Sequence, residues 1–370
     1  MRRYLSLWQD ILPTPLIPLP EIARSARVGS VMIKDEGQRL GLGSFKALGG
    51  AYAVMRIFHR KLQEHLGRTI PIDEIVSPAA RRFAQTLTFC CATDGNHGKS
   101  VAAGAKVLGC RSAIFVHQGV TQARASAIGS DLVVRVTGNY DDSVLEAKRV
   151  ATEENWILVS DTSWPGYEEY PSIVAQGYTV LADEALAQYA GAGLAPPTHV
   201  FLQAGVGGFA SSISAHLVER LGRPSIRTIV VEPDRAACLF ESAIHGGLTS
   251  APSADPTIMA MLECYTPSLV GWRILQETAD AFMTVTDEEA KAAMRALALR
   301  EGTPVISGES GAAGLAGLMA LAGDSASREL IGLDPNSRIL LINTETATDP
   351  SSYNAIVGRY PEAVLADCNN

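Results

Sequence analysis

The chain is constrained most by a run of alternation between residues 86 and 162. Short apolar segments, each too short for a helix, are followed in turn by helix-like segments. Thr86 to Ala92 precedes a small-residue helix from Lys99 to Leu108, and Ala113–His117 precedes Gln122–Ile128. Leu132–Val136 precedes Asp142–Glu153, and Trp156–Val159 ends at Ser160-Asp161-Thr162. Strands alternating with helices across short loops cannot pair as hairpins, so they predict a parallel sheet with helices on its faces. The pattern resumes downstream. Tyr170 to Tyr189 reads as a helix, His199–Gln203 as a strand entering Gly205-Val206-Gly207-Gly208, and Phe209–Leu221 as the helix that follows. Thr228–Val231 and Arg338–Asn343 are further strands, and Thr286 with Glu289 forms a capping box that opens a helix. Two α/β units are expected, a small one over residues 50–165 and a large one built from 1–49 and 166–370.

Composition supports a buried enzyme core. Of 370 residues 47% are apolar and 19% charged, which is unlike a disordered or highly solvated chain. A net charge of −8 with scattered basic residues argues against a nucleic-acid partner. No apolar run is long enough to span a membrane. Gln9, Asp10, Pro13 and Pro15 interrupt any secretory apolar stretch after Met1-Arg2-Arg3. The six cysteines, at 90, 91, 110, 238, 264 and 368, show no CxxC and no zinc spacing, so reduced thiols and a cytoplasmic location are expected and no metal is assigned.

In open parallel sheets ligands bind beyond the carboxyl ends of strands. Four loops stand there: 93–98, 160–162, 204–208 and 344–349. The three glycines among 205–208 let backbone N–H groups converge on an anion at a helix N-terminus, though tight strand–helix packing would use the same residues. The loop lacks both dinucleotide spacing and a Walker lysine, so a lone phosphate is the expected anion. Thr93-Asp94-Gly95-Asn96-His97-Gly98 also joins a strand to a helix. An aspartate in such a loop is either an N-cap or a base facing the ligand. Lys46 follows Gly41-Leu42-Gly43-Ser44-Phe45, a turn in which Ser44 suits an N-cap. A cation at a helix start opposes the macrodipole, so Lys46 is either a solvated lysine or an amine used as a Schiff-base nucleophile.

Together these stretches resemble the fold type II pyridoxal-phosphate enzymes, the tryptophan synthase β-like group. Within that group the resemblance is nearest to diaminopropionate ammonia-lyases. It is carried by Lys34-Asp35-Glu36, Phe45-Lys46-x-Leu48-Gly49-Gly50, Ala92 to Gly98, and Asp161-Thr162-x-Trp164-x-Gly166-Tyr167. It continues through Gln176-Gly177-Tyr178, Gly205 to Gly208, Val231-Glu232-Pro233 with Cys238, and Thr257 to Ala260 with Cys264. It ends at Ser307 to Gly311 and Asn343-Thr344-Glu345. The ordered set spans nearly the whole chain. Three positions depart from it: Gly37 where the family usually has Ser, Gly43-Ser44 where it has Asn-Ala, and Thr346-Ala347 where it has Gly-Asp.

The resemblance implies two open parallel-sheet α/β domains with pyridoxal 5'-phosphate between them, and a homodimer. Lys46 would hold the cofactor as a Schiff base beside Phe45. Gly205, Val206, Gly207 and Gly208 would cradle its phosphate, Asn96 would meet the ring hydroxyl, Glu309 and Ser310 the ring edge, and Thr344 the pyridine nitrogen. Thr93, Gly95 and His97 would bind the substrate carboxylate. Lys46 and Asp94 would serve as bases on opposite faces, and Asp161 would meet the β-ammonium of a small amino-acid substrate. Elimination of ammonia from D- or L-2,3-diaminopropionate would then give pyruvate and two ammonia. A serine or threonine dehydratase of the same fold is the nearest rival, and Asp94 discriminates because a neutral Ser is expected there. A non-catalytic cofactor-binding protein is the other rival. Cys238 and Cys264 bracket a Gly/Pro-containing segment that a disulfide would order.

Overall fold

The computed structural model describes residues 1–370 except 94, 253–254, 301 and 367–370, and except the side chain of residue 123. Asp94 and Cys368 therefore lie outside the described residues. The chain separates into two compact units, one of residues 1–12 and 39–180 and one of 13–38 and 181–370.

The first unit is built on a four-stranded parallel sheet. Its strands are β3 (Thr88–Ala92), β4 (Arg111–His117), β5 (Leu132–Val136) and β6 (Ile157–Leu158), in the order β5-β4-β3-β6. β3 is buried along its whole length because helices cover both faces, as its continuous apolar run requires. Cys90, Ala92, Ala113, Phe115 and Leu158 pack against Ala147 and Ala151 of helix Tyr140–Glu153. That helix starts on a capping box between Asn139 and Asp142.

The second unit carries a six-stranded sheet. β1 (Leu16–Pro18) and β2 (Ser30–Asp35) come from the N-terminal segment, and β7 (His199–Gln203), β8 (Arg227–Pro233), β9 (Ala281–Val285) and β10 (Arg338–Asn343) from the C-terminal half. The order is β1-β2-β10-β7-β8-β9; β1 runs antiparallel to β2 and the other pairs are parallel. Strand residues such as Ile33, Phe201, Val231 and Leu341 share one core with helices Ala313–Ala322 and Asp287–Ala298. The expected capping box of Thr286 and Glu289 opens the latter.

Four local expectations change. The helix carrying Lys46 runs Lys46–Leu66, past the apolar run of 47–58 that reads as its extent in the sequence. Ser44 does not cap it: Phe45 is the N-cap, no side chain bonds the first turn, and the Ser44 hydroxyl is buried without a hydrogen-bond partner. Residues 64–85, whose mixed pattern with Pro71 and Pro78 reads from the sequence as a surface excursion, hold two short helices, Ile72–Val76 and Pro78–Ala84, with Pro71 just before the first and Pro78 opening the second. β9 has no counterpart in the sequence reading, because Ala281-Phe-Met-Thr-Val is half-buried and weakly patterned.

The compact units also have limits other than 50 and 165. Helix Lys46–Leu66 belongs to the first unit because it lies directly on helix Asn96–Leu108. A Cβ on Gly50 would stand 2.8 Å from Ser100 Oγ, and one on Gly104 would stand 2.8 Å from Ala51 Cα. The long helix Glu169–Gly191 joins it through residue 180 for the same reason, since a Cβ on Gly49 would overlap the Tyr178 ring at 2.3 Å. The motifs around Gly49-Gly50 and Gly177-Tyr178 are thus two sides of one helix contact.

Candidate active site

Each sheet reverses its winding once, and the loops singled out from sequence fall at those reversals. In the four-stranded sheet β3 lies between β4 and β6, and loops 93–98 and 160–162 leave the carboxyl ends of β3 and β6. In the six-stranded sheet β7 lies between β8 and β10, and loops 204–208 and 344–349 leave β7 and β10. Diverging connections open a crevice at such a point, the usual ligand position in open α/β sheets.

In the first unit, Lys46 is the first residue of its helix and its ammonium bonds Asp161 Oδ2, with side-chain exposures of 22% and 9%. Asp161 supplies the negative charge that a cation at a helix N-terminus lacks. Tyr140 donates its hydroxyl to the other oxygen, Asp161 Oδ1, at 3.2 Å. Burial alone would raise the Asp161 carboxyl. The charge of Lys46 and the bonds from Lys46 and Tyr140 together hold it well below the ordinary carboxylate range. Asp161 is therefore a fixed anion at neutral pH.

His97 is buried beside this pair, 2% exposed, with Nε2 2.7 Å from the Val159 carbonyl. A carbonyl only accepts, so Nε2 carries the proton and Nδ1 presents a lone pair, which has no hydrogen-bond partner. Burial pushes His97 below its ordinary pKa, against the pull of Asp161, so the ring is neutral. Thr93 Oγ1 accepts from Gly95 N at 2.9 Å and Gly98 N at 3.1 Å. Two of the amides expected to receive an anion are thus already engaged, and the Thr93 hydroxyl, with both lone pairs taken, can only donate. Gly95 holds φ 143°, a conformation side chains avoid, which turns the chain into helix Asn96–Leu108. Asn96 is the first residue of that helix and is 5% exposed. Phe45 packs on Tyr178 with ring centroids 4.7 Å apart, and the Tyr178 hydroxyl is buried without a hydrogen-bond partner.

In the second unit, helix Gly208–Leu221 takes Gly207 as its N-cap at φ 96°, and its first rung is Ser211 N to Gly207 O. The N–H groups of residues 205–208 precede that rung, so the turn offers them to an anion. No acidic side chain stands in it. Thr344 directly follows β10, is 4% exposed, and its Oγ1 accepts from Gln203 Nε2 at 3.0 Å. Glu309, 6% exposed, accepts from the Ser352 hydroxyl, and Ser310 Oγ accepts from Met261 N at 3.2 Å. Glu232, fully buried at the end of β8, accepts from Leu239 N at 2.9 Å and Phe240 N at 2.7 Å and so caps helix Cys238–His245. Burial pushes its carboxyl up to about 8 despite those bonds.

Cys238 and Cys264 carry reduced thiols, so the expected disulfide is not formed. Both sulfurs lie near Gly205 instead. Cys238 Sγ donates to Gly205 O at 3.7 Å, and a Cβ on Gly205 would stand 3.0 Å from Cys264 Sγ.

The structure therefore brings Lys46, Asp161 and His97 together in one unit, with Thr93, Gly95 and Asn96 on the neighbouring turn. It sets the 205–208 turn, Glu309 and Thr344 in the other. Sequence reasoning missed Tyr140 and Gln203. Gln203 had a signal, since it is the one amide in the apolar strand His199-Val-Phe-Leu-Gln just before the glycine turn. Tyr140 had none. Each set fits a part of pyridoxal phosphate: in the first unit the Lys46 amine matches an aldehyde and the buried unpartnered polar atoms on Ser44, His97 and Tyr178 a polar ring, and in the second the backbone turn matches a phosphate dianion. Among the described residues no cluster of His, Cys, Asp and Glu could hold a metal, and no helix is long and apolar enough to cross a membrane.

Comparison with known proteins agrees with this chemistry. A family model described as "Pyridoxal-phosphate dependent enzyme" matches residues 7–345. The chain is 37% identical over 360 residues to a diaminopropionate ammonia-lyase of Escherichia coli K12, covering 95% of this chain and 89% of the relative. It is 39% identical over 355 residues to the Salmonella typhimurium enzyme of the same name, covering 93% and 87%. The crystal structure of the Escherichia coli enzyme in complex with D-serine superposes with a TM-score of 0.86 at 34% identity, covering 98% of this chain and 92% of that one.

Proposed function

The chain belongs to the pyridoxal-phosphate dependent enzymes, and from that premise we propose that it eliminates ammonia from 2,3-diaminopropionate, giving pyruvate and two ammonia. The observation that carries the reading is the charge state of Asp161. A carboxylate held far below its ordinary pKa cannot act as an acid near neutrality. A hydroxyl leaving group needs a proton to depart, and Asp161 has none to give. A β-ammonium already carries its proton and needs only an anion to hold it. Asp161 therefore suits an amine leaving group better than the hydroxyl of serine or threonine.

Lys46 would hold the cofactor's carbonyl carbon, the amides of Gly205 to Gly208 its phosphate, Asn96 its ring hydroxyl and Thr344 its ring nitrogen, with Phe45 and Glu309 beside the ring. Once bound, pyridoxal phosphate supplies the electron sink that acidifies the Cα–H of an amino acid. The remaining work belongs to side chains. Lys46 pairs with Asp161 while its amine is charged; as a neutral amine it can take the Cα proton on its own face. Asp94 is assigned the opposite face, which would let both stereoisomers react. Thr93, an obligate donor, orients the substrate carboxylate. The neutral His97 adds no charge that would compete for Asp161. The Cα–H bond breaks to the base, its electron pair expels ammonia from Cβ, and the released 2-aminoacrylate hydrolyses in water to pyruvate and the second ammonia.

As in the family resemblance, a homodimer in the cytoplasm is part of this reading. The direct test is pyruvate release from D- and L-diaminopropionate, serine and threonine side by side. Diaminopropionate should be preferred by kcat/KM. Preference for serine or threonine would transfer the chain to the dehydratases, and no turnover of any of the four would leave a cofactor-binding protein.

A further inference from the structure

Tyr167 closes the stretch that carries Asp161, yet the proposed elimination gives it no part. We infer that Tyr167 is a positioning residue whose hydroxyl pins the end of β6 and so sets the place of the Asp161 carboxylate that holds the leaving ammonium. The inference rests on the proposed function and extends it to a residue outside the reacting groups.

β6 is an edge strand, paired with β3. Its inner side is held at the site: Val159 N donates to Cys90 O at 2.8 Å, and Val159 O accepts from His97 Nε2 at 2.7 Å. The order β5-β4-β3-β6 leaves its outer side without a neighbouring strand. There Tyr167 Oη lies 2.7 Å from Leu158 O and 3.1 Å from Ser160 N. A carbonyl only accepts and a backbone N–H only donates, so the phenol donates to the first and accepts from the second. In a parallel ladder one residue of a neighbouring strand makes these same two bonds, to the carbonyl before and the N–H after the residue it faces. One phenolic oxygen thus stands in for a fifth strand around Val159, two residues before Asp161. Ser160 is 3% exposed, so loss of the phenol would leave its N–H away from water.

The ring itself is held from several sides. Trp164-Pro165-Gly166-Tyr167 is a tight turn in which Tyr167 N bonds Trp164 O at 2.9 Å and Gly166 takes φ 84°. The Trp164 and Tyr167 rings stack with centroids 4.4 Å apart, Lys148 Nζ stands 5.1 Å from the Trp164 centroid, and Tyr170 meets Tyr167 edge-on at 6.1 Å. Burial pushes the Tyr167 phenol above its ordinary pKa, so it keeps the proton it donates. Residues 161–163 are therefore closed into a short loop whose two ends meet through Tyr167. Lys46 and Tyr140 hold the two carboxylate oxygens of Asp161, and Tyr167 holds the backbone from which that side chain departs. A charged side chain over β6 would be enough to protect a sheet edge. The paired bonds to Leu158 and Ser160 do more, because they fix the direction of the chain as it enters residue 161.

Tyr167→Phe removes the hydroxyl and keeps the stacked ring, and two readouts separate positioning from general stability. In cofactor-free full-length protein, Asp161→Asn should lower the urea midpoint by about 1 M. In the Tyr167→Phe background it should lower it by less than about half as much, because a displaced carboxylate has already lost part of its contact with Lys46. An equal fall in both backgrounds would make Tyr167 purely structural and overturn the inference. In holoprotein, Tyr167→Phe should lower kcat/KM for 2,3-diaminopropionate about 10- to 100-fold, the scale of a misplaced contact, and that for 3-chloroalanine less than about 3-fold. Chloride departs with its bonding electrons and needs no anion beside it, so only the ammonium substrate reads the place of Asp161. Equal losses for the two substrates would also overturn the inference. If Tyr167→Phe fails to fold, Gly166→Ala replaces it in both measurements with the same expected outcomes, since it strains the turn at φ 84° while the new Cβ meets no atom within 4 Å. Failure of the proposed function is separate: wild-type protein would then release no pyruvate from diaminopropionate, while the urea midpoints still decide whether Tyr167 sets Asp161.

Discussion

Replacing Asp161 by Asn isolates the ion pair at the centre of the first unit's candidate residues. The amide keeps the shape and can still accept from Tyr140, but it removes the carboxylate charge that bonds the Lys46 ammonium at a helix N-terminus. Removing one partner of a fully buried pair costs about 3–5 kcal/mol, and a fully exposed pair is worth about 0–1 kcal/mol. With side chains 22% and 9% exposed, the expected loss lies between, about 2 kcal/mol. For a urea dependence of about 2 kcal/mol per molar, the unfolding midpoint of cofactor-free protein should fall by about 1 M at pH 7. The sign of the pH dependence follows from the depressed carboxyl. A group with a lowered folded pKa contributes fully above its unfolded value, about 3.9. It loses that contribution as pH falls from there toward its folded value. The gap between wild type and variant should therefore be constant from about pH 6 to 7 and shrink below about pH 4. Equal midpoints at pH 7, or a gap that does not narrow in acid, would show that the pair does not hold the charges as described.

Lys46→Ala should abolish both the visible absorbance of bound cofactor and turnover; a variant retaining both would remove Lys46 from its role. Gly207→Ala should cost about 1–3 kcal/mol, because Gly207 sits at φ 96° and a Cβ would lie 3.1 Å from Leu239. Gly207→Asp should in addition lose cofactor affinity at least 10-fold relative to the Ala variant, and equal affinities would mean the turn serves packing alone. Asp94→Asn should reduce kcat/KM for one isomer of diaminopropionate, expected to be D, by orders of magnitude while the other survives on Lys46; equal losses would make Asp94 structural.

Much of the site was legible because its parts are local. Strand–turn–helix junctions announce themselves through glycine and a change of period, and all four singled-out loops lie at carboxyl ends of strands adjoining the sheet reversals. The limits of the units were less legible, because they depend on which helices touch. Gly49 faces Tyr178 and Gly104 faces Ala51, contacts between segments more than fifty residues apart that no local pattern reports. Tyr140 illustrates the same gap, since it reads as a helix-start aromatic until β6 carries Asp161 to it. Ser44 shows the converse. A good capping residue in a good place was displaced by one position, and its hydroxyl was left buried and unpartnered beside Lys46.

The departures from the family pattern were read separately, yet two of them meet in space. A Cβ on Gly37 would stand 3.0 Å from Asp35 Oδ1, 3.4 Å from Asn343 Nδ2 and 3.4 Å from Thr346 Cβ. Gly37 thus lies against the residue that replaces the usual glycine after Asn-Thr-Glu. A serine at 37 and a threonine at 346 would crowd one another and the Asp35–Asn343 hydrogen bond of 2.8 Å; a serine with a glycine, or a glycine with a threonine, would not. The two exchanges therefore act as one, moving a side chain from one wall of the loop to the other while β10 and Thr344 keep their place. Gly37→Ser alone should destabilise by about 1–3 kcal/mol through overpacking, and Gly37→Ser with Thr346→Gly should recover most of it. Urea midpoints of the four proteins give the coupling directly. Strictly additive effects would show that the two departures arose independently, and the altered loop would then have to be explained by the substrate rather than by its own packing.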